Sequence, residues 1–214
     1  ILGKSNKKKL DKEELGFLEE CLKSISNGKK PDELKKKYSK DLINKSALLS
    51  LKPRIIVCNV DEKSLPDGNK YSDACKKKFP NENIIVVCAD IEDQIMSLQA
   101  KDRKDFMHES GIKNTGLNNL IKTGYNILEL NTFFSSTPKE TRAWTIEKNS
   151  KAVDAAGVIH TDFKKKFIRA ETVSHEDFIK YKGFNECKNA GKLRLEGKDY
   201  IVKDGDVIFF RTGA

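Results

Sequence analysis

The sequence predicts an α/β protein with part of a parallel sheet, a helical pair before it and a second, smaller mixed-sheet domain after it. Two near-continuous apolar runs, at 54–58 and 84–88, are each followed by a helical pattern, which is typical of parallel strands covered on both faces. After residue 130 short alternating segments replace these runs. A chain of 214 residues has room for one large domain or two modest ones.

The first fifty residues predict two helices joined by a short turn. Over 8–27, apolar residues recur at the 3-4-3 spacing of a coiled-coil stripe, and Asn27 and Gly28 end the helix. Pro31 begins the second helix. We expect both stripes to pack against each other, although a binding groove stays an alternative. The stripe residues are Leu15, Leu18, Leu22 and Ile25, then Leu34, Tyr38, Leu42 and Leu48.

The remaining elements follow from apolar periodicity and from the positions of Gly and Pro. Helices are predicted at 70–79, 91–99, 101–109, 116–129, 153–159 and 177–190, the last in two pieces around Gly183. Beyond the two apolar runs, strands are predicted at 133–134, 142–146 and 167–173. Residues 200–202 and 207–211 flank a tight turn, which predicts a closing hairpin.

Charge favours an RNA or ribosome partner, with a simple solubility surface as the alternative. Lys and Arg total 41 against 32 Asp and Glu, a net charge of +9. The excess lies in 1–50 and 131–214, whereas 51–130 is neutral. No apolar run approaches the length of a transmembrane helix, and no signal peptide opens the chain. We therefore expect a cytoplasmic protein with no membrane partner. Because the chain begins at Ile1, we take it as a fragment or a processed product, with missing upstream sequence as an open possibility.

Cysteine and histidine spacing predicts no metal site. No two of the five cysteines are separated by two residues, and the three histidines lack a shared ligand spacing. Cys58 and Cys88 each end an apolar run, and we expect both to be buried as small hydrophobic side chains.

The most informative motif follows the first strand, at Asn59-Val60-Asp61-Glu62. In open α/β sheets, ligands bind beyond the carboxyl ends of the strands. An Asn amide offers a donor and an acceptor to a purine edge, and a carboxylate three residues later can accept from ring or exocyclic N–H groups. P-loop GTPases use Asn-Lys-x-Asp in this way; here Val60 and Glu62 replace the Lys and the Asp. An ordinary structural turn is the alternative.

From Leu51 to Ala214 the sequence resembles the YchF/Obg-like family of P-loop NTPases, and residues 1–50 resemble it loosely. The similarity runs through long, ordered segments. The matching segments are 52–62, 116–118, 142–146, 155–163, 167–171 and 190–202.

This resemblance implies three parts. Residues 1–50 would be the end of an inserted helical hairpin, 51–130 the C-terminal part of a nucleotide-binding G domain with its parallel sheet, and 131–214 a TGS domain with a ubiquitin-like β-grasp fold. It implies ATP preferred over GTP and ribosome association. The residues expected at the nucleotide base are Asn59, Val60, Glu62, Cys88 and Ala89.

The phosphate half of such a site is missing from the sequence. No G-x-x-x-x-G-K-[ST] segment occurs in it. The family's phosphate loop, switch regions and Mg²⁺ ligands lie upstream of the matched region, so Mg²⁺ with ATP or GTP belongs to the full-length protein. We therefore expect no catalytic residue in this chain and no hydrolysis by the chain alone.

Basic residues of the last third are candidates for ribosome or rRNA contact. Lys166 stands where the family usually has Gly and completes a run of three lysines, 164–166. This run could contact phosphates or simply lie in a solvated turn. The favoured function is the C-terminal portion of a ribosome-associated NTPase in translation or stress regulation; the alternative is a stand-alone TGS-containing ribosome or RNA-binding module without NTPase activity. The oligomeric state stays open. The candidate contacts are Lys164, Lys165, Lys166, Arg142, Arg169 and Arg194.

Overall fold

The computed structural model describes residues 11–137 and 139–213, and its internal contacts divide the chain into two units, Ile1–Arg54 and Ile55–Ala214. The described part of the first unit is helical. It contains α1 (Lys12–Ser26), α2 (Leu34–Lys37), α3 (Lys40–Ser46) and a 3-10 turn (Leu49–Leu51). Residues 8–10 of the predicted first helix lie outside the described residues.

The buried face of α1 is not the predicted leucine stripe. Phe17 and Cys21 are 0% and 2% exposed, whereas Leu22 is 55% exposed. The Phe17 ring packs edge to face on Tyr38, with the ring centroids 5.1 Å apart, and an aromatic ring buries more apolar area than a leucine. The predicted second helix is also broken. Tyr38 is extended, and the Ser39 side chain accepts the Leu42 N–H at 3.3 Å, which caps α3 as a separate helix.

The second unit begins with the predicted parallel strands. β1 and β2 pair in parallel from Ile55 with Asn83 to Asn59 with Val87. They form a sheet of two strands. The prediction that both strands are buried on both faces is wrong, because most of their residues are only half-buried or exposed. No β1 residue is fully buried, and only Ile85 is buried in β2. The elements are β1 (Ile55–Asn59), α4 (Lys70–Lys78), β2 (Asn83–Val87), α5 (Ala89–Ser97), α6 (Ala100–Glu109) and α7 (Gly116–Ile127).

Beyond α7 the chain builds a five-stranded mixed sheet with the strand order β4-β3-β7-β5-β6. β3 and β7 are parallel, and the other neighbours are antiparallel. The elements are β3 (Leu130–Ser136), β4 (Thr141–Glu147), α8 (Ala152–Ile159), α9 (Thr161–Lys165), β5 (Phe167–Ser174), α10 (His175–Tyr181), α11 (Phe184–Asn189), β6 (Arg194–Glu196) and β7 (Asp206–Thr212).

One face of this sheet packs against α8. The alanines of α8 have no side chain beyond Cβ, so the helix approaches the sheet closely and they are fully buried. Phe133 and Phe210 meet beneath it, with the ring centroids 6.0 Å apart. The buried cluster is Phe133, Ile146, Ala152, Ala155, Ala156, Phe167, Ala170, Val202, Ile208 and Phe210.

The predicted closing hairpin is wrong. Ile201 makes only an isolated bridge with Lys151, and β7 lies between β3 and β5 instead. Val207 and Ile208, on opposite faces of β7, are both buried, which is the pattern of a central strand rather than a hairpin edge. The sequence analysis also missed α9 and β6, which span only five and three residues and are too short for periodicity to detect.

Candidate functional site

The two parallel strand ends bring the predicted base residues together. Asn59 is the last residue of β1 and lies opposite Val87 in the register. One residue later, the Val60 N–H donates to the Val87 carbonyl at 2.8 Å, and the Val60 side chain is buried. The backbone leaving β1 is therefore held against the end of β2, as expected for neighbouring parallel strands.

The Asn59 side chain bridges the two strand ends. Its Oδ1 accepts the backbone N–H of Ala89 at 3.0 Å. Ala89 is the first residue of α5, so Asn59 satisfies one of the N–H groups that the start of a helix leaves without a partner. Because the oxygen is used in this way, the exposed amide of Asn59 presents its Nδ2–H₂ group as a donor.

The second loop contributes backbone rather than a side chain. Cys88 is 1% exposed and packs with Ile91 and Ile95. The sequence analysis expected it buried, and the structure agrees; Cys58, expected to be buried too, is only half-buried. Ala89 is exposed and small, so the backbone of this loop is open to approach from solvent.

Glu62, just after the end of β1, has a carboxylate without a hydrogen-bond partner among the described residues. It begins a 3-10 turn, Glu62–Ser64, it is exposed, and among the described residues no side chain or backbone group is hydrogen-bonded to its carboxylate. Asp61 is different, because its Oδ1 accepts the Ser64 hydroxyl at 2.8 Å. The turn thus uses the Asp61 carboxylate to hold its own shape, whereas the Glu62 carboxylate has no partner among the described residues.

Glu92 and Gly116 support this edge, and the sequence analysis missed the role of Glu92. The Glu92 carboxylate accepts the backbone N–H groups of Gly116 and Leu117, the latter at 3.3 Å, and so caps α7 with a negative charge. A Cβ added at Gly116 would lie 2.6 Å from Val87 Cγ1, so only glycine fits there. A cleft of about 320 Å³ beside them includes Cys88 but none of the other four predicted base residues.

Most of the predicted ribosome-contact residues are paired with carboxylates. Lys164 Nζ lies 2.8 Å from Asp154 Oδ1, and Arg142 Nε lies 2.6 Å from Glu140 Oε1. Arg169 Nη2 lies 3.2 Å from Glu171 Oε1.

Glu171 also binds Arg211 through both of its carboxylate oxygens. Arg211, and to a smaller extent Arg169, hold the pKa of Glu171 below its usual range. Arg169 therefore shares the one carboxylate of Glu171 with Arg211, so this cluster keeps a net positive charge.

Arg194 belongs to a half-buried polar cluster around the buried carboxylate of Asp206. Its Nη2 lies 3.1 Å from Oδ1 of Asp206, which is only 3% exposed. The Tyr200 hydroxyl donates to Asp206 Oδ2 at 2.7 Å, and the Lys203 backbone N–H donates to the same oxygen at 2.9 Å. Burial and then the bond to Asp206 raise the pKa of Tyr200 to about 12. The cluster joins β6 to the start of β7.

Lys165 and Lys166 have no such partner among the described residues, and both are exposed. Lys164 and Lys165 end α9, and Lys166 follows with φ −100° and ψ 16°. This backbone is ordinary for any residue, so lysine replaces the family's glycine there without strain.

The described residues contain no group of three or more His, Cys, Asp or Glu side chains that could hold a metal ion. In the same part of the chain, no helix is long and apolar enough to cross a membrane.

The parallel strand pair followed by a mixed sheet has counterparts among solved structures. The chain superimposes on the Schizosaccharomyces pombe YchF GTPase with a TM-score of 0.79 and 32% identity, covering 97% of this chain and 58% of that one. A GTP binding protein from Pyrococcus horikoshii OT3 gives a TM-score of 0.53 at 16% identity, a likeness of fold alone.

Sequence relatives agree with the structural likeness. Two proteins named "Ribosome-binding ATPase YchF" are each 46% identical to this chain. The one from Escherichia coli O157:H7 aligns over 93% of the chain and 55% of its own length, and the one from Bacillus subtilis over 79% and 48%. The family model YchF-GTPase_C, described as a protein of unknown function (DUF933), matches residues 130–213.

The chain therefore belongs to the YchF family, as a stretch that corresponds to the C-terminal portion of its members. It spans about half the length of the curated relatives that it matches.

Proposed function

We propose that this chain is the C-terminal portion of a ribosome-associated, nucleotide-binding NTPase that prefers ATP to GTP and acts in translation or stress regulation. Residues 51–130 supply the base-recognition edge of the nucleotide site. Residues 131–214 form a TGS domain of the β-grasp type that binds the ribosome, and residues 1–50 are the end of a helical hairpin. The proposal joins the geometry of the strand ends to the names of the relatives.

The observation that carries the nucleotide proposal is the hydrogen bond from Ala89 to Asn59. Since the amide oxygen is occupied at 3.0 Å, the Nδ2–H₂ group is oriented by the protein before any ligand arrives. A preoriented donor suits purine N7, an acceptor that adenine and guanine share. Asn59 would then hold any purine in register, with the backbone at Val60, Cys88 and Ala89 beside the ring.

Glu62 gives the ATP preference a physical reason. In the usual motif an Asp accepts hydrogen bonds from guanine N1 and N2. Glu is one methylene longer, which disturbs that paired geometry, and an unmet buried donor costs about 1–3 kcal/mol. Because Glu62 is unengaged by the protein, its carboxylate is available to the base. Most of the discrimination for guanine is thereby removed, and no strong discrimination for adenine is built in its place.

The phosphate half of the site does not fit this chain. The sequence holds no phosphate loop, and no described carboxylate cluster suits a metal ion. From the family resemblance we expect Mg²⁺ to be bound by the upstream part of the full-length protein, and no step of hydrolysis is assigned to residues of this chain.

For the last domain, the mixed five-stranded sheet with α8 across one face supports the β-grasp assignment. Cations without a carboxylate partner are the better candidates for contact with phosphates. Lys165 and Lys166 are therefore favoured over Arg194 and Arg169. Binding through such contacts is salt-dependent and insensitive to sequence.

Ribosome co-sedimentation across a salt series tests the ribosome part. Replacing Lys165 and Lys166 by Ser should flatten the salt slope by about one to two units if both lysines contact phosphates. The matched control is Lys164→Ser, whose ammonium is paired with Asp154 and should matter less. Identical pelleting of parent and double variant at every salt concentration would remove the α9 lysines from the contact.

A stand-alone ribosome or RNA-binding module without NTPase activity is the alternative function. Joining the chain to the preceding part of the Escherichia coli relative separates the two. The proposal expects ATP hydrolysis by the joined protein and none by the chain alone. Ribosome binding without hydrolysis by a folded joined protein would favour the alternative.

A further inference from the structure

The segment that leads from β2 into α5 is held at both of its ends by the first residue of α7. At one end, Gly116 packs so closely on Val87 that a Cβ added to it would lie 2.6 Å from Val87 Cγ1. At the other end, the Glu92 carboxylate accepts the Gly116 N–H, and it also accepts the Leu117 N–H at 3.3 Å. The start of α7 therefore clamps residues 88–91, which include two of those expected beside the base.

Asn59 contacts the same segment from the neighbouring strand. Its Oδ1 accepts the Ala89 N–H at 3.0 Å, in an exposed position. Because water competes for an exposed hydrogen bond, this bond orients the Asn59 amide only while Ala89 keeps its place. The direction of the Asn59 Nδ2–H₂ group thus depends on the contacts that hold residues 88–91, and Glu92 makes two of them.

We propose that Glu92 is a positioning residue of the nucleotide site, which clamps residues 88–91 through α7 so that Ala89 keeps the Asn59 amide oriented towards the base. This inference rests on the proposed function, because it takes Asn59 to bind a purine. Glu92 itself is assigned no contact with the nucleotide. A donor that is held in place before the ligand arrives loses little conformational freedom on binding. Loss of the clamp should therefore weaken the binding of ATP and GTP alike.

The sign of the expected effect separates positioning from electrostatics. Removing the Glu92 carboxylate removes a negative charge near a polyanionic ligand, which by itself favours nucleotide binding. Weaker binding by Glu92→Ala therefore has to come from the lost clamp. The matched control is Asp93→Ala, which removes the same charge from the next residue of α5, at an exposed position. It should not weaken binding.

Amide hydrogen exchange of the full chain tests the clamp without a nucleotide. In Glu92→Ala we expect the Ala89 N–H to exchange about tenfold faster than in the parent, while the Val60 N–H, bonded to the Val87 carbonyl, keeps the parent rate. Glu92→Gln retains one acceptor oxygen and should give an intermediate rate at Ala89; it decides if Glu92→Ala does not fold. An unchanged rate at Ala89, or an equal rise at Val60, would overturn the proposal.

Competition binding of ATP and GTP tests the link to Asn59, in the chain joined to the preceding part of the Escherichia coli relative. Glu92→Ala should weaken both nucleotides by about threefold to tenfold, and Glu92→Gln by less. Because Glu92 acts through Asn59, the double variant Glu92→Ala with Asn59→Ala should bind no more weakly than Asn59→Ala alone.

Failure of this inference can be told apart from failure of the proposed function. Weaker binding by Asn59→Ala with parent-like binding by Glu92→Ala, or additive losses in the double variant, would overturn the positioning role alone. Unchanged binding of both nucleotides by folded Asn59→Ala would overturn the proposed function, and with it any role of Glu92 in a nucleotide site.

Discussion

Residues 55–127 and 130–213 differ in the size of the hydrophobic core that each contains. In the later region, five strands and α8 enclose a cluster of ten buried side chains. In the earlier region, two strands support a cluster of only three, at Cys88, Ile91 and Ile95, and Val57 of β1 remains 45% exposed. The later region thus contains what a domain needs to fold, whereas the earlier one has the strand ends of a site but little core of its own.

The same contrast holds for polar groups. In the later region, Asp206 and Glu171 have arginine partners, so these side chains stabilise the fold and have little left to offer a ligand. In the earlier region, Asn59 keeps a free donor and Glu62 a free carboxylate. Basic residues that are prominent in the sequence can therefore be structural, while Asn59 and Glu62, whose polar groups have no such partner among the described residues, are the better candidates for function.

The largest expected difference is in autonomous folding. Residues 131–214 expressed alone should melt cooperatively and give dispersed amide resonances, because the whole ten-residue cluster lies within them. Residues 55–129 alone should show neither, since two strands seldom fold independently. Calorimetry and two-dimensional NMR of both fragments check this. A disordered 131–214 fragment would contradict the boundary near residue 130.

Asp206→Asn should cause the next largest loss. It removes the charge that Arg194, Tyr200 and the Lys203 N–H share, and breaking such a largely buried cluster should lower the free energy of unfolding by about 2–4 kcal/mol. Urea denaturation of the 131–214 fragment measures it. The control is Asp199→Asn, because Asp199 pairs with Lys151 at an exposed position. Equal midpoints for the two variants would show that burial does not determine how much each ion pair contributes to the free energy of unfolding.

Gly116→Ala tests the support of the earlier region. The added methyl group would lie 2.6 Å from Val87 Cγ1, so we expect a loss of about 1–3 kcal/mol. Gly124→Ala lies on the same helix with nothing within 4 Å of the new methyl, and helix propensity alone should raise stability by up to about 1 kcal/mol. Thermal melts of the full chain compare them. A stabilising Gly116→Ala would mean that α7 does not pack closely against β2.

Thr172→Val should give the smallest effect, and with the opposite sign. Thr172 is fully buried and its hydroxyl has no hydrogen-bond partner, so replacing it with a methyl of similar size should stabilise the later region by about 1 kcal/mol. Thr145→Val is the control, because that hydroxyl is hydrogen-bonded to Tyr125 at 3.2 Å and should give no gain. Denaturant midpoints of the two variants measure this. A midpoint for Thr172→Val that is no higher than that of the parent would show that the Thr172 hydroxyl does not destabilise the fold.

The sequence predicted the parallel strands and most helices, because their apolar periodicity is local. It misplaced the last strand, since whether 206–212 pairs with 200–202 or enters the middle of a sheet depends on β3 and β5, which are distant in the chain. It also chose the wrong face of α1, where the ring contact of Phe17 with Tyr38 outweighs leucine spacing.

At the candidate site, the sequence indicated Asn59 and Glu62 and their expected contacts with a base, but not how the protein orients the Asn59 amide. That the Asn59 oxygen is used by Ala89, thirty residues away, is visible only in three dimensions. The pairing of Arg194 with Asp206 is likewise tertiary, whereas Arg169 pairs with Glu171 two residues along the same strand, so composition alone overstated the availability of both arginines to RNA.

The central claim is that Asn59 and Glu62 form the base edge of a purine nucleotide site, and competition binding measures it most directly. In the chain joined to the preceding part of the Escherichia coli relative, Asn59→Ala should weaken ATP and GTP alike by about tenfold, because N7 is common to both bases. Glu62→Asp should instead shift the preference towards GTP by roughly 5–150-fold. Asn81→Ala, an exposed loop residue, should change neither affinity. Unchanged binding of both nucleotides by folded Asn59→Ala, together with an unchanged ratio in Glu62→Asp, would contradict the account.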